Sequence, residues 1–210
     1  MVKRLLTYSA FLFCLLPAFS QAQSADELMA KSAAWFKSGK AWSLKFRLVH
    51  EYAGSKDKIS QSGALLVGEK NRFRLQVPGI VFYSDGTSLW QWNQEQKQVL
   101  IKSLADLSGA FHPSELLFKY LNCKAISAVK SIWNGKSVWI LKLDPLPYAS
   151  QFSAMEVYLG SDYAPLRLIT TDSTGSVSWY DILDLKKESN PSDAEFKFKS
   201  SPDIDEIDMR

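Results

Sequence analysis

Between Gly63 and Trp92 the chain reads GALLVGEKNRFRLQVPGIVFYSDGTSLWQW, an alternation of period two punctuated by turn-forming residues. Leu65 and Val67 fall on one side of the first run. Phe73, Leu75 and Val77 fall on one side of the next, while Arg72, Arg74 and Gln76 point the other way. Ser84-Asp85-Gly86-Thr87 supplies a tight reversal into Ser88, Trp90 and Trp92. Side chains of a strand alternate between faces, so this segment predicts an antiparallel meander with one apolar, aromatic face and one solvated face. It holds no nucleophile–base pair, metal-ligand set or phosphate loop. Its chemistry is that of apolar surface.

The same period continues on both sides. Trp42, Leu44, Phe46 and Leu48 alternate with polar neighbours, and Ile59 to Val67, Val99 and Ile101 complete a first set of strands. A second set runs from Lys124 onward. Trp133-Asn134-Gly135-Lys136 is a hairpin signal, because asparagine and glycine accept positive φ. Trp139, Leu141 and Leu143 follow, then Met155, Val157 and Leu159, then Leu166 and Leu168, then Val177, Trp179, Leu183 and Leu185. About eleven strands by pattern predict one curved sheet or barrel. A helix is expected from Ser24 or Asp26 through Lys37, with Leu28, Met29, Ser32, Trp35 and Phe36 as its packing stripe and Gly39 as its stop. Ser103–Ser108 and Pro113–Asn122 read as short helices interrupting the strands. Asn190 to Asp208 reads as a solvated tail anchored by Phe196 and Phe198.

Residues 1–22 carry Lys3 and Arg4, an apolar run from Leu5 to Leu16, and small residues at Ser20 and Ala22. That pattern predicts a cleaved secretory leader, and a single domain over residues 23–210 in the periplasm. The formal charge of +3 falls towards neutrality once Lys3 and Arg4 leave, which argues against nucleic acid as a partner. Only Cys123 remains in the mature chain, so no internal disulfide is available and the core must hold the fold. The aromatic content of 13%, with seven tryptophans, needs a large apolar interior.

Enzyme chemistry is not expected. His50 and His112 have no catalytic partner nearby in sequence, and neither a Gly-x-Ser-x-Gly nor a His-Glu-x-x-His run occurs. Asp85 reads as the turn residue before Gly86. Asp203, Asp205, Glu206 and Asp208 lack the spacing and glycine of a calcium loop. No cofactor or metal is implied.

Gly63 through Phe73, Ser84-Asp85-Gly86 followed by Leu89-Trp90, and Phe196-Lys197-Phe198 followed by Pro202 and acidic residues resemble the outer-membrane lipoprotein carrier family (LolA). The order of elements matches over nearly the whole mature chain. The resemblance implies an incomplete β-barrel with short helices as a lid over a hydrophobic cavity. It implies carriage of acylated lipoproteins from an inner-membrane releasing transporter to an outer-membrane receptor, by a monomer. The family commonly has Arg-Pro or Lys-Pro before the aromatic strand, the arginine helping to latch the lid; this chain has Glu69-Lys70. An envelope sensor or docking subunit on the same scaffold is the other reading.

An acyl chain gains about 0.8 kcal/mol per buried methylene, so a chain of roughly fifteen methylenes is worth on the order of 12 kcal/mol. Only a continuous apolar wall supplies that. The expected wall is Trp42, Leu44, Phe46, Leu65, Phe73, Leu75, Trp90, Trp92 and Trp139, and the expected lid is Leu104, Leu107, Phe111, Leu116, Leu117 and Leu121.

Overall fold

A computed structural model describes residues 23–107 and 118–210. The leader, residue 108, the Gly109–His112 junction and the first half of the second lid segment, residues 113–117, lie outside the described residues. Helix α1 (Ala25–Lys37) opens the described chain. Ser24 caps it by accepting from the Glu27 backbone N–H, and the Glu27 side chain accepts in return from the Ser24 N–H. Asp26 and Glu27 sit at its positive end and Lys37 at its negative end, which favours this boundary. The cap at the other end is Ser38, with Gly39 donating to the Phe36 carbonyl.

Twelve strands follow: β1 (Ala41–Glu51), β2 (Lys58–Val67), β3 (Arg72–Val77), β4 (Ile80–Asp85), β5 (Ser88–Asn93), β6 (Gln98–Ser103), β7 (Lys124–Trp133), β8 (Lys136–Asp144), β9 (Phe152–Leu159), β10 (Pro165–Asp172), β11 (Val177–Glu188) and β12 (Asp205–Asp208). They form one sheet in the order β12-β6-β5-β4-β3-β2-β1-β11-β10-β9-β8-β7. The ends do not pair, so the barrel is unclosed, as the resemblance implied. All neighbours are antiparallel except β12, which runs parallel to β6. Among the described residues of the two expected short helices, Leu104–Leu107 and Lys119–Asn122 form 3-10 turns.

The turns explain the register. In the β4–β5 reversal the Asp85 carboxylate accepts from the backbone N–H groups of Thr87 and Ser88. Gly86 holds φ +95, and a methyl group there would collide with the Lys70 carbonyl oxygen. Asn134 and Gly135 take φ 49 and 74 in the β7–β8 hairpin, the positive values that twist-matched two-residue turns require.

The tail departs from expectation. Residues 190–210 are not a free tail: Asp193–Phe196 forms a 3-10 turn, and Asp205–Asp208 is the twelfth strand. Sequence pattern misses β12 because its four residues are all exposed and mostly acidic, with no alternation to read. Backbone bonds from Asp205 N–H to the Lys97 carbonyl and from Met209 N–H to the Ile101 carbonyl hold it, at 2.9 Å each.

Candidate functional site: the inner face of the open barrel

Directly opposed residues of neighbouring strands share a face. Leu44 opposes Leu65, which opposes Leu75, which opposes Phe82; Trp42 opposes Val67, which opposes Phe73. Across the seam with β11, Phe46 opposes Ile182 and Leu44 opposes Leu185, a β-bulge after Lys45 keeping both partners inward. Leu141, Val157 and Leu168 continue the same layer through β8, β9 and β10. One sheet face is therefore apolar from β3 to β8.

This inner face carries two packed clusters. One joins Leu28 and Phe36 of α1 to Trp42, Tyr120, Leu141, Leu143, Met155, Val157, Leu159 and Leu168. The other is Leu44, Phe46, Leu65, Val67, Phe73, Leu75 and Leu89, with Leu104 and Phe118 packed against it. Phe118 touches both clusters and meets Phe36 edge-on with ring centroids 5.0 Å apart. Trp35 stacks on Trp42 at 4.4 Å. The buried hydroxyls of Ser32 and Tyr120, 2.5 Å apart, tie α1 to the Lys119–Asn122 turn. Burial without a charged partner pushes the Tyr120 hydroxyl far above its ordinary range, so it stays neutral. Burial, and secondarily the Asp144 carboxylate, pushes the Cys123 thiol up to about 11, which leaves it an unreactive packing group beside Met155.

At one end of the sheet the two clusters border an open hollow. A cavity of 490 Å³ opens where α1, the ends of β1 and β2, and the Lys119–Asn122 turn meet. Phe36, Trp42, Val67, Phe118 and Leu121 supply its apolar lining, and Lys37, Lys40 and Asn122 stand among its polar groups. That volume lies within the usual range of small-molecule sites, about 300–1,000 Å³.

The expected wall residues do not all meet. Trp42, Leu44, Phe46, Leu65, Phe73 and Leu75 share the inner face, and Trp139 lies on it farther round, opposite Leu159. Trp90 and Trp92 do not. Ser84 opposes Leu89, so Trp90 opposes Tyr83 and Trp92 opposes Val81, on the face that carries Arg74 and Gln76. The reversal at Gly86 sets that parity, and alternation within one strand cannot be carried across a turn of unknown register. The C-terminal segment covers these tryptophans from outside: Phe198 lies 5.3 Å from Trp92 and 6.0 Å from Tyr83. Of the expected lid, Leu104 and Leu121 pack on the two inner clusters. Leu107, Phe111, Leu116 and Leu117 fall outside the described side chains. Sequence reasoning overlooked Val67, Phe36 and Phe118 as lining. The first is visible in the alternation of β2 and the second in the helix stripe, whereas the place of Phe118 is set by contacts with both clusters.

The Glu69-Lys70 departure has a structural cause. Lys70 and Asn71 take φ 58 and 60 in the tight turn from β2 to β3. Proline is locked near φ −65°, so no proline fits at position 70 in this turn. Arg72, the nearest arginine, faces outward. It donates to the Glu69 carbonyl at 3.2 Å, pairs with Asp193, and covers the Phe196 ring at 4.9 Å, pinning the C-terminal segment instead of a lid.

Among the described residues no group of three or more metal-ligating side chains occurs, and no helix is long and apolar enough to cross a membrane. The outer face carries an ion cluster around the buried Asp181, which accepts from Arg47 at 2.9 Å and from Arg167 at 2.5 Å. Burial pushes that carboxyl up, but the two guanidinium groups outweigh it and hold it below the usual range. It braces β1, β10 and β11.

The fold is an unclosed antiparallel barrel with a helix packed on its apolar inner face. The model of the family described as outer membrane lipoprotein carrier protein LolA matches residues 40–199, and the chain belongs to that family. Among solved structures, an uncharacterised conserved protein from Thermus thermophilus superposes with TM-score 0.55 at 17% identity, over 88% of this chain and 98% of that one. A LolA superfamily protein from Nitrosomonas europaea gives TM-score 0.46 at 13% identity, over 84% and 99%. A lipoprotein-sorting protein domain from Vibrio parahaemolyticus gives 0.45 at 14%, over 82% and 97%. No curated protein matches the chain.

Proposed function

We propose that the chain is a periplasmic carrier that takes the acyl chains of lipoproteins into the inner face of its barrel and moves them from the inner to the outer membrane. The observation that carries this reading is the cavity bordered by Phe36, Trp42, Val67, Phe118 and Leu121, continuous with a packed apolar wall. Membership of a family described as lipoprotein carriers supports it. The physical logic is exchange. Phe118 and Leu121 now shield the wall from water, and an entering chain replaces their contacts with its own. Because protein–protein apolar contact is traded for protein–lipid contact, the net free energy is small and loading is reversible. A releasing transporter on one membrane and a receptor on the other set the direction of transfer.

The test is uptake of a purified triacylated lipoprotein from detergent-free vesicles by the mature protein, followed by size-exclusion chromatography. A one-to-one soluble complex is expected. Phe118→Glu, which places a charge in the cavity without emptying the main core, should abolish it while circular dichroism is retained. Normal uptake by that folded variant refutes the assigned cavity.

A further inference from the structure

The two margins of the sheet differ. At one, β12 covers β6. At the other, β7 has a ladder partner only in β8 among the described residues, which leave the other side of this ten-residue strand without one. A register shift between Ala125 and Ser127 leaves Ser127–Trp133 as its regular stretch. Three large aliphatic side chains project along this strand: Ile126, 67% exposed, Val129, 61%, and Ile132, 77%.

Two features define what fits there. Val129 opposes Ile140 and Ile132 opposes Ser137, so the two project to opposite faces of the sheet. No flat apolar surface covers both, whereas a strand laid beside β7 touches each from its own side. Lys130, between them, and Lys124 and Lys136 near the strand ends have no ion pair among the described residues. We propose that the β7 margin is a docking strand for an extended segment of a partner protein, with an acidic residue beside Lys130 and aliphatic residues beside Val129 and Ile132.

Such strand addition takes affinity from backbone hydrogen bonds and specificity from the flanking side chains. Lysines on an exposed edge guard against indiscriminate pairing, and an acidic strand is the class they admit. A lipid surface fits less well, because unpaired backbone N–H and C=O groups are not tolerated in hydrocarbon. Antiparallel pairing with β7 of a second copy fits less well, because it sets lysine near lysine.

The probe is a fluorescein-labelled seven-residue peptide, Thr-Val-Thr-Glu-Val-Thr-Thr, which laid antiparallel to Ser127–Trp133 sets valine beside Ile132 and Val129 and glutamate beside Lys130. Its valine–lysine counterpart carries lysine in place of that glutamate, and each is titrated against the mature protein without lipid and followed by anisotropy. Saturable binding at one site is expected, with none for the valine–lysine counterpart. Val129→Asp should weaken it by about tenfold or more, through lost apolar contact and like-charge opposition. Lys130→Glu, a surface change that leaves the fold intact, should reverse the preference towards the valine–lysine peptide. Absence of saturable binding, or equal binding by both variants, overturns the proposal. So do self-association in sedimentation equilibrium that Lys130→Glu abolishes, which assigns the margin to a second copy, and flotation with anionic vesicles that the peptide does not displace.

Discussion

Phe196→Ala should undock the C-terminal segment without unfolding the barrel. Phe196 is fully enclosed, seated against Gly68 and beneath the Arg72 guanidinium. Truncating a buried phenylalanine costs about 3–5 kcal/mol. The other ties are weaker. The Arg72–Asp193 pair leaves Asp193 82% exposed, and such surface pairs contribute about 0.2–1 kcal/mol. The cation over the ring adds about 0.5–1 kcal/mol, and it disappears with the ring. Apolar burial therefore dominates, and at about 1.4 kcal/mol per factor of ten the docked population should fall at least a hundredfold. The readout is hydrogen exchange at the β6 amides, whose outer partner is β12, together with emission from Trp92, on which Phe198 rests. Amide protection in β6 should drop by about two orders of magnitude while β1, β10 and β11 stay protected. Asp193→Asn should change protection less than about fivefold. Wild-type protection in Phe196→Ala, or equal effects of the two substitutions, would refute the ranking of apolar burial over the ion pair.

Three more expectations follow from the same geometry. Gly86→Ala should destabilise the fold by more than about 2 kcal/mol in urea unfolding, because a positive φ and the Lys70 carbonyl both oppose a methyl group. Lys70→Pro should destabilise by more than about 1 kcal/mol, and Lys70→Gly should stabilise slightly, since φ 58 suits glycine and excludes proline. Asp181→Asn should cost about 1–3 kcal/mol at neutral pH, the half-exposure of Arg47 keeping it below a fully buried pair. The folded carboxyl is depressed, so its contribution is complete above the ordinary carboxylate range and is lost as pH falls through the lower folded value; the wild-type advantage should vanish in acid.

Much of this fold is legible in the residues because alternation is local. Leu65, Val67, Phe73 and Leu75 reveal their common face within two strands and one tight turn. The capping box of α1 and the Asn134-Gly135 hairpin are equally local. What fails is information carried across turns or by long-range contact. Trp90 and Trp92 look like lining because they alternate and are aromatic, but the Asp85-Gly86 reversal sends them outward, where Phe198 meets them. The acidic tail looks solvated because nothing in Asp205–Asp208 signals that β6 offers an open edge to it. Phe118 bridges two clusters whose other members lie far apart in sequence, so its place cannot be read from its neighbours.

Native mass spectrometry of the mature protein isolated from its own cells tests the carrier reading most directly. The account predicts a one-to-one adduct with a lipoprotein or its acyl chains, lost in Phe118→Glu. A spectrum of bare protein that stays bare after incubation with triacylated lipoprotein contradicts it.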